Sequence, residues 1–150
     1  MSIVATIRPL ARADEPQWRD LWTAYLAFYE TTRPEPVYQA YFERLLGDDP
    51  QDYCGLVAEA DDGRLVGLTH YLFHRHGWSI ENTCYLQDLY AAPDVRGQGV
   101  GRRLIEAVYA AADAAGVPGV YWLTQDFNAE ARALYDRVGK LTPFIKYARP

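Results

Sequence analysis

The chain has 150 residues, 49% of them hydrophobic and 14% aromatic, and a formal net charge of −5. This suits a single domain spanning 1–150, able to bury about two-thirds of its unfolded surface in one core, and it excludes a disordered chain. No run of about eighteen apolar residues predicts a membrane span, and the acidic balance speaks against a nucleic-acid partner, which needs a basic face.

In chain order, the N-terminal stretch MSIVATIRPLARADE shows no secretory apolar region with a cleavage site, so a cytoplasmic location is expected. Ala5–Arg8 reads as a first strand, with Ile3 and Ile7 among its apolar positions. Ala13–Glu30 reads as a helix whose stripe is Trp18, Leu21, Trp22, Tyr25 and Tyr29. The breaker Arg33-Pro34-Glu35-Pro36 precedes a short helix over Val37–Leu46. Strands follow near 53–59, 64–74 and 80–91, with turns at Asp61-Asp62-Gly63 and His76-Gly77. A second strand–helix alternation comprises a helix from Val100, a strand near 119–124, a helix capped by Asn128 and a closing strand near 142–148. Cys54 and Cys84 are the only cysteines, and free thiols in a reducing compartment are expected.

The most informative stretch is 88–109. An apolar strand ending in Leu89-Tyr90-Ala91 meets Pro93. The corner Arg96-Gly97-Gln98-Gly99-Val100-Gly101 then opens an amphipathic helix carrying Val100, Leu104, Val108, Ala111 and Ala115. Such a corner leaves backbone N–H groups unpaired at the positive end of the helix dipole. Glycines let a ligand approach that backbone, which makes a site for a phosphate or pyrophosphate. A nucleotide P-loop needs Gly-Lys-Ser/Thr where Arg102-Arg103 stands, and a dinucleotide fingerprint needs a glycine at Arg102.

The remaining pattern, Arg96-x-x-Gly99-x-Gly101, resembles the coenzyme A pyrophosphate motif of the GCN5-related N-acetyltransferases (the GNAT superfamily). Asn128, followed by Leu134-Tyr135-x-x-x-Gly139, resembles that superfamily's second cofactor-contacting segment. Within it, Leu56-Val57-Ala58-Glu59, Leu65-Val66-Gly67, Tyr71-Leu72-Phe73, Trp78 and Tyr85-Leu86-Gln87-Asp88-Leu89-Tyr90 look most like the diamine (spermidine/spermine) acetyltransferase branch. The resemblance covers roughly 52–140. It implies an α/β (α+β) domain in which a mixed, mostly antiparallel, twisted sheet of about six to seven strands is flanked by about four helices. It also implies a homodimer with the C-terminal strand near its interface.

The chemistry implied is acetyl transfer from acetyl-CoA to an amine, by direct attack in a ternary complex and without a metal. The cofactor set is Leu89, Tyr90, Ala91, Arg96, Gly97, Gln98, Gly99, Val100, Gly101, Arg102 and Asn128. The backbone of Gly97–Arg102 would hold the pyrophosphate, and the strand edge Leu89–Ala91 the pantetheine amides. An amine with pKa near ~10.4 is a free nucleophile in only about one molecule in 2,500 at pH 7, so a base or water chain must take its proton. The branch carries a Glu-Asp pair where this chain has Gln87-Asp88, and glutamine accepts no proton. Asp88 is therefore the candidate to bind the cationic acceptor or relay its proton, and Glu30 is a further amine-facing carboxylate, with Glu35 beside it. The resemblance implies that Tyr135 protonates the leaving thiolate, although Tyr135 also falls on its helix's apolar face.

Other readings are weaker. His70, His74 and His76 lack companion ligands at metal spacing and read as a solvated hairpin. Cys84 lies on the strand of Asp88, but no His–carboxylate pair can be placed beside it to make it an acyl carrier. The leading acceptor is a small cationic amine: a polyamine, a diamine or an amino-acid-like molecule. The alternatives are a non-catalytic acyl-CoA-binding module, in which Gln87 marks a lost base, and a protein or peptide N-acetyltransferase.

Overall fold

The computed structural model describes residues 4–150; Ile3 of the expected first strand lies outside them. Five strands, β1 (Ala5–Pro9), β2 (Cys54–Ala60), β3 (Leu65–Arg75), β4 (Asn82–Ala91) and β5 (Gly119–Tyr121), form one sheet in sequential order. The pairings β1–β2, β2–β3 and β3–β4 are antiparallel, and β4–β5 is parallel. Parallel neighbours need a crossover. Here α3 (Val100–Ala114) supplies it.

The two helices before β2 cover one face. Helix α1 (Glu15–Phe28) has Pro16 in its first turn and buries Trp18, Leu21, Trp22 and Leu26. Helix α2 (Glu35–Leu46) begins two residues before the expected start at Val37, with Pro36 inside its first turn. Proline is tolerated there because its missing N–H would have no intrahelical partner. The expected breaker is thus a helix start. Trp18 stacks on Trp22 at 5.7 Å and meets Phe42 of α2 at 5.1 Å, so the aromatic stripe becomes the core beneath both helices.

Helix α3 covers the other face, and α4 (Ala129–Val138) leans on it. The buried positions of α3 are Val100, Leu104, Ile105, Val108 and Ala112; Ala111 is half-buried and Ala115 exposed. The expected positions do share one face, but the helix ends at Ala114 and leaves Ala115 as its exposed C-cap, while the buried face extends sideways to Ile105 and Ala112. Asn128 caps α4 as expected, its Oδ1 accepting from the Ala131 N–H at 3.3 Å.

One expected strand is shortened and another is not formed, and the sheet has five strands among the described residues where six or seven were expected. The strand near 119–124 ends at Tyr121, where the chain leaves β4. Residues 140–150 carry no regular secondary structure and lie exposed, so the closing strand near 142–148 is not formed. An extended segment needs a partner row of N–H and C=O groups, and Pro143 offers no N–H.

Candidate active site

Strands β3 and β4 pair His70 with Asp88 and then Tyr71 with Leu86, so Gln87 is the extra residue of a β-bulge. Strict alternation would place Gln87 and Asp88 on opposite faces. The bulge breaks that alternation, and both residues line one cavity of about 560 Å³. Its other walls come from α1, the following loop, α2 and the residue before β2: Trp22, Tyr25, Tyr29, Tyr41 and Tyr53 make it aromatic.

Asp88 is 5% exposed and is held by a chain of donors. The Trp18 indole donates to His70 Nε2 at 3.0 Å, and His70 Nδ1 lies 2.7 Å from Asp88 Oδ2. An indole N–H can only donate, so Nε2 must accept and the imidazole proton sits on Nδ1, aimed at Asp88. The Tyr41 hydroxyl donates to the same Oδ2. Burial alone pushes the Asp88 carboxyl up, but His70 and the hydroxyls of Tyr41 and Tyr25 outweigh it and hold the group below the usual carboxylate range. Burial and the Asp88 charge push the Tyr25 and Tyr41 hydroxyls up, so these donors keep their protons. The result is a fixed, buried negative charge in an aromatic wall, an environment that suits an ammonium ion.

His70 corrects the sequence reading: it is 1% exposed and belongs to this chain of donors, not to a solvated hairpin. His74 is half-buried and meets the Tyr121 hydroxyl at 2.7 Å, while His76 lies beyond the end of β3. Glu30 is exposed with a left-handed backbone (φ 57°) and lines neither described cavity, so the structure does not bring it to Asp88. Glu35 is paired with Arg19 at 2.9 Å.

One residue further along β4, the strand enters a second cavity, of about 450 Å³. Leu89, Tyr90, Ala91, Arg96, Gly97, Gly99, Val100, Gly101, Arg102 and Asn128 all line it. Gln98 is outside the lining, its amide donating to the Asp94 carbonyl at 3.3 Å. Gly99 caps α3 at φ 84° and Gly97 sits at φ 78°, a left-handed backbone that favours glycine; a Cβ at either would have nothing within 4 Å. The corner is therefore open space above the unpaired N–H groups of the first helical turn, as pyrophosphate binding requires. At the strand edge, the Arg96 guanidinium stacks on Tyr90 and donates to the Ala91 carbonyl at 3.1 Å. That carbonyl is thus occupied, contrary to the expectation that the whole Leu89–Ala91 edge is open.

Tyr135 lines the same second cavity, half-buried, with its ring 5.5 Å from Trp122. Burial pushes its hydroxyl up to about 12. Tyr25 and Tyr29 line both cavities, so they stand where the two meet. Sequence reasoning missed these two as site residues. They were counted in a core stripe, and only their position past the buried end of that stripe marks them apart. Cys84 is fully buried and pushed up to about 12 by burial, which keeps it a thiol and removes it as an acyl carrier.

Residues 17–139 match the Acetyltransferase (GNAT) family. A D-amino-acid N-acetyltransferase of Saccharomyces cerevisiae is 37% identical over 147 residues, covering 98% of this chain and 89% of that protein. A thialysine N-epsilon-acetyltransferase of Sus scrofa is 33% identical over 100 residues, 62% of this chain and 58% of that protein. Among solved structures, an aminoglycoside N-acetyltransferase in complex with CoA superposes with a TM-score of 0.84 at 19% identity, covering 100% of this chain and 97% of that one. That last likeness is one of fold.

Proposed function

The chain belongs to the GNAT acetyltransferase family and is an acetyl-CoA-dependent N-acetyltransferase, and on that premise we propose that it acetylates the primary amine of a small molecule held against Asp88. The observation that carries this reading is the adjacency of the two cavities on β4, with Asp88 lining the aromatic one and Leu89 the glycine-cornered one. An ammonium bound at Asp88 thus lies one strand residue from the wall of the cofactor cavity. The activities named for the yeast and porcine relatives also support a small, amine-bearing acceptor.

In this reading the first-turn N–H groups of α3 hold the pyrophosphate, the Leu89–Tyr90 edge takes the pantetheine amides, and Tyr25 and Tyr29 wall the passage between the cavities. Bound acetyl-CoA supplies an activated thioester carbonyl. Asp88 is a poor general base, because a carboxylate held below its usual range lies more than ~6 pK units from an amine near ~10.4. Its task is to hold the acceptor's charge, while water takes the amine proton. Tyr135 then gives its proton to the departing thiolate.

The test is thiol release from acetyl-CoA against a panel of amines, with Asp88→Asn as the diagnostic variant. A charged hydrogen bond is worth about 1.5–3 kcal/mol, so the acceptor KM should rise about 10- to 100-fold with kcat largely kept. If kcat falls at unchanged KM, and that loss shrinks at higher pH, Asp88 is the base and the assignment is wrong. An absence of turnover with every amine would favour a non-catalytic acyl-CoA-binding module.

We also propose that the protein is a homodimer. Trp78 is 83% exposed beside Phe144, at 6.4 Å between rings, and Ile145 and Tyr147 are similarly bare. A second copy would remove these side chains from water. Light scattering at micromolar concentration should give twice 17.1 kDa; a mass of 17.1 kDa would refute the dimer.

A further inference from the structure

Helix α2 presents Val37, Ala40, Tyr41 and Arg44 to the acceptor cavity, a spacing of three and four residues that makes one helix face. Arg33, in the loop just before α2, lines the same cavity. Both arginines are exposed, so they stand at the solvent side of a cavity whose buried wall holds Asp88. The neighbouring carboxylates are engaged elsewhere: Glu35 with Arg19 and Glu43 with Arg12. Among the described residues, no ion pair joins a carboxylate to Arg33 or Arg44.

We propose that Arg33 and Arg44 form an anion subsite for the carboxylate of the acceptor, so that the natural acceptor is an aminocarboxylate and not a polycation. This rests on the small-amine reading above. The charged lining of the cavity is two guanidinium groups and one carboxylate. A molecule with an ammonium and a carboxylate complements that set. A diamine brings two positive charges to a cavity with a single negative partner, and its far amine meets the arginines as a like charge. Glu30, which would have been the second carboxylate for a diamine, lies outside the lining. Guanidinium is also the side chain whose paired N–H donors match a carboxylate.

The experiment compares matched acceptors in the thiol-release assay. Alanine, 4-aminobutanoate and 6-aminohexanoate are each set beside the corresponding carboxamide, with 1,5-diaminopentane as the dication. In the unaltered protein, the best aminocarboxylate should exceed its amide and the diamine by about tenfold or more in kcat/KM. In Arg33→Gln and Arg44→Gln, the aminocarboxylate KM should rise about tenfold, with kcat and the acetyl-CoA KM unchanged. The amide should be nearly indifferent, and the diamine unchanged or improved. Both positions are exposed, and unchanged circular dichroism would separate the effect from unfolding. Equal use of acid and amide, a preference for the diamine, or variants that weaken acid and amide alike would overturn the subsite while leaving the acetyltransferase reading intact. Turnover of none of the seven would overturn the small-amine reading and the subsite with it.

Discussion

Gly99→Glu is expected to weaken coenzyme A binding by about 100-fold or more. Forcing a side chain into the left-handed backbone at φ 84° costs roughly 1–2 kcal/mol, and a carboxylate facing the pyrophosphate as a like charge costs several more. The space above Gly99 is open, so the variant meets no packing clash. The backbone strain is present with or without the cofactor and should lower the melting temperature by roughly 2–8 °C, so the loss of affinity is carried by the carboxylate. Gly101→Glu adds a different strain: a Cβ there comes within 3.3 Å of Leu134 of α4, so a drop in affinity should come with a modest loss of stability. Titration calorimetry with coenzyme A reads both. Unchanged affinity in Gly99→Glu would show that the pyrophosphate is not held at this corner.

Tyr135→Phe is expected to lower kcat about 100-fold at nearly constant acetyl-CoA affinity. A positioned general acid contributes ~10²–10⁴-fold, and a thiol leaving group with pKa near ~8.5 needs the least help, which places the effect at the lower end. The ring and its contact with Trp122 remain, so the fold should hold. The pH profile is a second check. Burial keeps the Tyr135 hydroxyl protonated until about 12, so its role as an acid is intact at every pH below that value. Asp88, held below the ordinary carboxylate range, is ionised at neutral and alkaline pH. Neither group titrates between pH 6 and 10. The rate should rise with pH as the acceptor amine loses its proton, without a falling limb before about pH 11. A falling limb near pH 8–9, retained in Tyr135→Phe, would assign the acid to another group; full kcat in the variant would leave the proton to water.

Much of the cofactor side was legible in the sequence because its chemistry is local. Residues 89–102 form one strand end, one corner and one helix start, so the spacing of Gly97, Gly99 and Gly101 reports the ligand they can admit. The helix cap at Asn128 is local in the same way. Apolar residues at helical spacing likewise located α1, α3 and α4, and the proline pair located α2 with an error of two residues at its start.

The acceptor side was a matter of tertiary structure. Its walls come from residues between Trp22 and Asp88, and no sequence period joins them. The bulge at Gln87 is a property of pairing between two strands, invisible in either alone, yet it decides that Gln87 and Asp88 share a cavity. His70 was misread because polar residues in a strand suggest a wet face. Strand β3, however, is buried on both faces from Leu65 to Tyr71, between the helices on either side of the sheet. The sequence alone therefore determined the family resemblance, the pyrophosphate corner and the elements that frame it. Only packing decided which carboxylate is buried, which donors hold its charge and which arginines line the same cavity. Burial and charge pairing depend on distances between residues far apart in the chain, and those distances exist only once the sheet has closed between its helices.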